Sequence, residues 1–110
     1  MAIVILDRDG VINCESANYI KSPDEWQPIP GSLAAIAKLN SAGFAVYIAT
    51  NQSAVARGLL DLATLATIHA KLTQAVTAHG GHISDILSCP HHPAAHCQCR
   101  KPEPGMLLTI

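Results

Sequence analysis

The apolar positions of this chain fall in short blocks, and polar residues gather where the blocks end. Ala2-Ile3-Val4-Ile5-Leu6 is unbroken apolar sequence, the pattern of a strand buried on both faces in a parallel sheet. Phe44-Ala45-Val46-Tyr47-Ile48-Ala49 repeats it, and Ile83 to Ser88 reads as a shorter third strand. Between these runs the apolar residues recur at helical spacing. Leu33, Ile36, Ala37 and Leu39 predict a helix over Ser32 to Ala42, preceded by Pro30-Gly31 and closed by Gly43. Leu65, Ile68, His69, Leu72 and Val76 predict a second helix from about Asp61 to Ala78, with Asp61 as its N-cap and Gly80-Gly81 as its stop. His69 on that stripe reads as a packed histidine rather than a ligand. Residues 14–31 read as a long loop over the first strand's end, with Trp26 as a packing anchor. Pro104 to Ile110 opens a further helix. The order is β-α-β-α-β plus a partial helix, which predicts an α/β chain, a Rossmann-like three-layer αβα with a parallel sheet.

Composition narrows the class. The 110 residues suit one small domain. They are 49% hydrophobic and 14% charged, against the ~25% charged of an ordinary globular chain. So apolar and so short a chain suggests an obligate partner or a missing piece. A net charge of −1 gives no basic face for nucleic acid. No run approaches the ~18 apolar residues of a membrane span, and no charged leader precedes the first strand. The expectation is a cytoplasmic protein with neither membrane nor nucleic acid as partner.

The chemistry lies at the strand ends. Asp7 and Asp9 follow the first strand, and Gly10 lets the chain turn away without a Cβ penalty. Thr50 and Asn51 follow the second strand, and Arg100 and Lys101 follow the third. In an open parallel sheet these ends converge on one crevice. Such a set suits phosphoryl transfer. Asp7 would attack phosphorus and Asp9 would move the proton. Thr50 and Lys101 would hold the phosphoryl oxygens, and a divalent cation would screen the charge.

A second cluster falls in Cys89-Pro90-His91-His92-Pro93-Ala94-Ala95-His96-Cys97-Gln98-Cys99. Zinc takes four nitrogen or sulfur ligands in a tetrahedron. Cys89 with His91, and Cys97 with Cys99, form two pairs that clamp one ion from either end of the loop. Such a closed shell makes the zinc structural, and the thiolates point away from a disulfide framework. His92 and His96 are alternative fourth ligands. Cys14 stands apart as a free thiol.

Asp7-Arg8-Asp9-Gly10-Val11-Ile12-Asn13, Thr50-Asn51-Gln52-Ser53-Ala54-Val55-Ala56-Arg57-Gly58 and the Cys89 to Met106 stretch with Arg100-Lys101-Pro102 together resemble the haloacid dehalogenase-like phosphatases. Within them they look most like the heptose bisphosphate phosphatases. The zinc-containing histidinol-phosphate phosphatases are the nearest rival. The resemblance implies Asp7 as nucleophile and Asp9 as general acid/base. It implies Thr50 and Lys101 on the transferring phosphoryl group, and Mg2+ on the Asp7 carboxylate and the Asp9 backbone carbonyl. Zinc would sit on Cys89, His91, Cys97 and Cys99. Asn51, Arg57 and Arg100 would contact the sugar and its second phosphate. One residue departs from the family pattern. Ala54 replaces a usual glycine, which strains the loop if that position needs positive φ.

The resemblance also implies a longer fold, with further strands and another acidic Mg2+ ligand. The expectation is therefore an incomplete haloacid dehalogenase-like core, with reduced activity. The exposed first strand would pair antiparallel with its copy in a homodimer. The competing reading is a catalytically idle zinc-binding oligomerising fragment.

Overall fold

A computed structural model describes residues 2–110. Strands β1 (Ala2–Leu6), β2 (Phe44–Asn51) and β3 (Asp85–Cys89) form one parallel sheet in that order. Helices α1 (Ser32–Ser41), α2 (Leu62–Ala78) and the short α3 (Gly105–Thr109) complete the expected alternation. The third strand starts at Asp85 rather than Ile83. Its register opposite Tyr47 begins there, and Ile83 turns into the core instead.

Alternation along β2 sorts the two faces. Val46 and Ile48 are fully buried among Leu33 and Ile36 of α1 and Leu65, Ile68, Leu72 and Val76 of α2. Ala49 points to the other face, where Cys89 and Met106 of α3 form a second small cluster. The layers are therefore two helices, the sheet, and one short helix. Asp61 caps α2 by accepting from the Thr64 backbone N–H at 2.7 Å. Trp26 anchors the long loop: it is 1% exposed, and Lys71 of α2 donates to the Pro23 and Trp26 carbonyls at 2.6 and 3.1 Å.

One expectation fails. β1 is not buried on both faces: Ile3 is 47% exposed and Ile5 40%. Among the described residues the strand is a sheet edge with β2 as its only neighbour. The two helices cover only the side toward which Val4 and Leu6 point, where Leu6 packs against the core. An apolar run reports the composition of a strand and not what covers it. Among the described residues, no helix is long and apolar enough to cross a membrane.

Candidate active site

The turn after β1 is built on Arg8. Its carbonyl accepts from the backbone N–H groups of Val11, Ile12 and Asn13 at 3.3, 2.9 and 3.3 Å. Gly10 sits at φ +81 within it and donates to the Asn13 carbonyl at 2.8 Å. Period-two alternation sends Asp7 and Asp9 to one side and Arg8 to the other. Asp7 is exposed, Asp9 half-buried, and the Arg8 side chain 0% exposed.

Asp9 stands at the centre of a polar network. Its Oδ1 accepts from Arg8 Nε at 2.8 Å and Asn13 Nδ2 at 3.0 Å. Arg8 Nη2 lies 2.8 Å from the same oxygen, near enough for charge attraction though not aligned as a hydrogen bond. Oδ2 accepts from Gln52 Nε2 at 3.2 Å, and the same Gln52 amide donates to Thr50 Oγ1 at 2.8 Å. Burial pushes the Asp9 carboxyl up. The bonds and charge of Arg8, with the Asn13 and Gln52 amides, outweigh it and hold the group below its ordinary 3.8.

Asp7 meets the third strand end. Its Oδ1 accepts from the Arg8 backbone N–H at 2.8 Å and lies 3.0 Å from Lys101 Nζ. Asn51 places that lysine. Its Oδ1 accepts from the Lys101 N–H at 3.0 Å and its Nδ2 donates to the Lys101 carbonyl at 3.2 Å. Lys101 Nζ also donates to the Ala49 carbonyl at 2.7 Å. The three strand ends thus meet in space: Asp7 and Asp9, Thr50 and Asn51, and Lys101.

A cleft of about 250 Å3 opens beside Asp9. Asn51, Gln52, Ser53, Arg57 and Arg100 line it from one side, and Glu15, Ser16 and Tyr19 from the long loop. Arg57 stands over the Tyr19 ring, 5.8 Å from its centroid. Arg100 Nη1 is buried without a partner. Asp7 and Lys101 do not line this cleft. Ala54 is buried and lies outside the non-glycine residues at positive φ, Tyr19 and His96. Its methyl therefore meets no backbone strain, and the loop holds its course.

The Cys/His loop closes against this site. The ligand atoms of Cys89, His91, Cys97 and Cys99 all lie within 4.8 Å of one another. His92 instead accepts from the Ala94 N–H, and neither it nor His96 belongs to this group. The sulfurs of Cys89 and Cys99 are in contact as a disulfide pair, where free thiolates were expected. The other two donors still converge: Cys97 Sγ is 3.4 Å from Cys89 Sγ, and His91 Nδ1 is 3.1 Å from Cys99 Sγ. The Cys89 carbonyl accepts from Gln52 N–H at 2.8 Å and the Pro90 carbonyl from Ala56 N–H at 3.2 Å. The loop therefore braces the segment that carries Gln52 and Arg57. Cys14 is exposed and free.

Arg8, Asn13, Gln52 and Tyr19 were not among the expected site residues, and His69 was expected only as a packed histidine. For Arg8 the signal was present: alternation from Val4 and Leu6 puts its side chain on the core face, where a charge demands partners.

The family model for polynucleotide kinase 3 phosphatase matches residues 2–110. The chain belongs to that family. It is 55% identical over 109 residues to the D-glycero-beta-D-manno-heptose-1,7-bisphosphate 7-phosphatase of Pseudomonas aeruginosa, which covers 99% of this chain and 61% of the relative. The chain thus spans about three fifths of the length of the curated relatives it matches. A solved D,D-heptose 1,7-bisphosphate phosphatase from Bordetella bronchiseptica, complexed with magnesium and phosphate, superposes with a TM-score of 0.94 at 54% identity, covering 97% of this chain and 60% of that one. A candidate HAD-like phosphatase from Mesorhizobium loti superposes at 0.87 with 36% identity, covering 98% and 54%. The parallel sheet and its helices are those of the haloacid dehalogenase-like fold within this phosphatase family.

Proposed function

We propose that this chain hydrolyses a sugar phosphate monoester of the heptose bisphosphate kind, through an aspartyl phosphate on Asp7. The observation that carries the reading is the meeting of Asp7 and Lys101 Nζ at 3.0 Å, with the Asp9–Gln52–Thr50 chain beside them. Asp7 is the exposed carboxylate. Its free oxygen attacks phosphorus and the ester P–O bond breaks. Asp9 gives its proton to the departing alkoxide, then takes one from water. That water attacks the phosphoryl group, the P–O bond to Asp7 breaks, and free Asp7 and inorganic phosphate result. Asp9 rests as a carboxylate; a phosphate dianion arriving beside it raises its proton affinity, and Asp9 takes from solvent, as the substrate binds, the proton it then gives to the leaving group. Lys101 and the Thr50 hydroxyl offset charge on the phosphoryl oxygens. Arg57 and Arg100 face the cleft where the sugar and its distal phosphate would lie.

Magnesium fits the oxygen donors, the Asp7 carboxylate and the Asp9 backbone carbonyl, and when bound it would screen the carboxylate from the phosphate's charge. Asp7 is already paired with Lys101 and the Asp9 side chain with Arg8. The Lys101 pairing competes with the cation for the Asp7 carboxylate, so we expect weak magnesium affinity and low turnover. Zinc fits the second cluster. A disulfide needs two of the four converging donors, whereas a tetrahedral ion uses Cys89, His91, Cys97 and Cys99 together. Thiolate ligands require a reducing compartment, which supports a cytoplasmic setting.

The open edge of β1, with Ile3 and Ile5 exposed, supports pairing with a second copy about a two-fold axis. Size-exclusion chromatography with light scattering checks this, and a stable monomer at tens of micromolar overturns it.

The activity test is phosphate release from a panel of sugar phosphates, with and without Mg2+. Asp7→Asn should lower it by about 10³-fold or more at unchanged fold. Release that survives Asp7→Asn refutes the mechanism. Release by neither protein leaves the idle zinc-binding module.

A further inference from the structure

We infer that His69 is a positioning residue of this site: its Nε2 accepts from the buried Arg8 guanidinium, and through Arg8 it sets the aim of the Asp9 carboxylate. Arg8 is 0% exposed. Its Nε and Nη2 both face Asp9 Oδ1 at 2.8 Å, and its Nη1 lies 3.1 Å from His69 Nε2. A guanidinium carries donors only, so the contact requires a bare Nε2 lone pair, hence the neutral Nδ1–H tautomer. The environment agrees. Burial, then the Arg8 charge, push the imidazole down to about 4, with Asp9 opposing.

The consequence is mechanical. Asp9 sits on a turn that no regular element contains. His69 sits on α2, beside Ile68 and Leu72, which are both 0% exposed. Arg8 joins the two and so refers the orientation of a loop carboxylate to the helix locked in the core. The Arg8 carbonyl also anchors the turn's N–H groups. A guanidinium that tips therefore moves Asp7 and Asp9 together.

Two substitutions of similar volume separate this role from plain packing. Gln offers an acceptor near the position of Nε2, whereas Leu offers none. The kinetic arm of the test rests on the phosphatase reading, and the spectroscopic arm does not. Long-range 1H–15N correlation of the full chain at neutral pH should show His69 as the Nδ1–H tautomer, with a slowly exchanging Arg8 Nε–H. His69→Leu should speed that exchange by about tenfold and lower kcat for p-nitrophenyl phosphate by a similar factor, with KM within about twofold. His69→Gln should restore both to within about threefold of wild type. An Nε2–H tautomer, or a His69→Gln chain no better than His69→Leu in Arg8 exchange, overturns the inference. Should His69→Leu not fold, the wild-type tautomer and Arg8 exchange in His69→Gln decide. A wild-type chain that releases no phosphate refutes the phosphatase reading alone, because the spectra still decide the role of His69.

Discussion

The turn at Asp7 to Asn13 and the loop at Cys89 to Cys99 stand side by side and hold their shape by different means. The turn is wired from within. Arg8 lies at its centre, backbone and side chain both bonded, and Asn13 and Gln52 complete the ring around Asp9. The loop encloses little apolar surface: among its residues whose burial is described, only Cys89 is fully buried. What gathers it is four donor side chains meeting at one point. A network of fixed hydrogen bonds is ready before any ligand arrives. A ring of sulfurs and an imidazole is ready only when something bonds them. The chain thus builds one half of its crevice from polypeptide alone and leaves the other half to covalent or coordinate chemistry.

Removing the bonding agent should have the largest effect. With the zinc reading correct, treating reduced protein with a strong chelator should lower stability by roughly 5 kcal/mol or more, seen as a fall in Tm and release of about one zinc per chain. Reduced, metal-free protein with unchanged Tm would erase the contrast between the two regions.

Breaking the turn comes next. Arg8→Met removes a buried cation from a half-buried carboxylate and should cost about 3–5 kcal/mol in chemical denaturation. A neutral result would mean that the network around Asp9 is decorative.

Gly105→Ala attacks the loop from its far end. A Cβ there would collide with the Gln98 carbonyl and lie 2.9 Å from Cys99 Cα. Gly105 N–H also donates to that carbonyl. We expect a loss of about 2–3 kcal/mol, with weakened metal retention and with Asp9–Arg8 contacts intact by NMR.

The smallest expected effect is pH-linked. His69 is pulled down from 6.5 to about 4 by burial and the Arg8 charge, with Asp9 opposing. The folded chain therefore binds fewer protons than the unfolded one between those values. The stability this confers is present above pH 6.5 and is lost as pH falls toward about 4. Discounted for the partial exposure of the ring, the loss is about 2 kcal/mol. Tm measured against pH should be flatter over that window in His69→Gln than in wild type.

How much of this was legible in the sequence varies with the kind of interaction. The strands, both long helices, the Asp61 cap, the Trp26 anchor and the convergence of the strand ends all follow from local pattern. Hydrophobic period and capping chemistry act over a few residues, so the chain states them directly. The candidate groups Asp7, Asp9, Thr50, Asn51 and Lys101 were readable because a parallel sheet puts its C-terminal ends together whatever its details.

Partnership across the fold was not legible. That Ile3 and Ile5 face out depends on which elements cover β1. That His69 receives Arg8 depends on contact between residues 61 positions apart. That Gln52 bridges Asp9 to Thr50, and that Asn51 clamps Lys101, depend on loops brought together only by the finished sheet. The residue types at the candidate site belong to the sequence. Their aim, exposure and protonation belong to tertiary structure, because hydrogen bonds and desolvation are set by neighbours in space, not by neighbours along the chain.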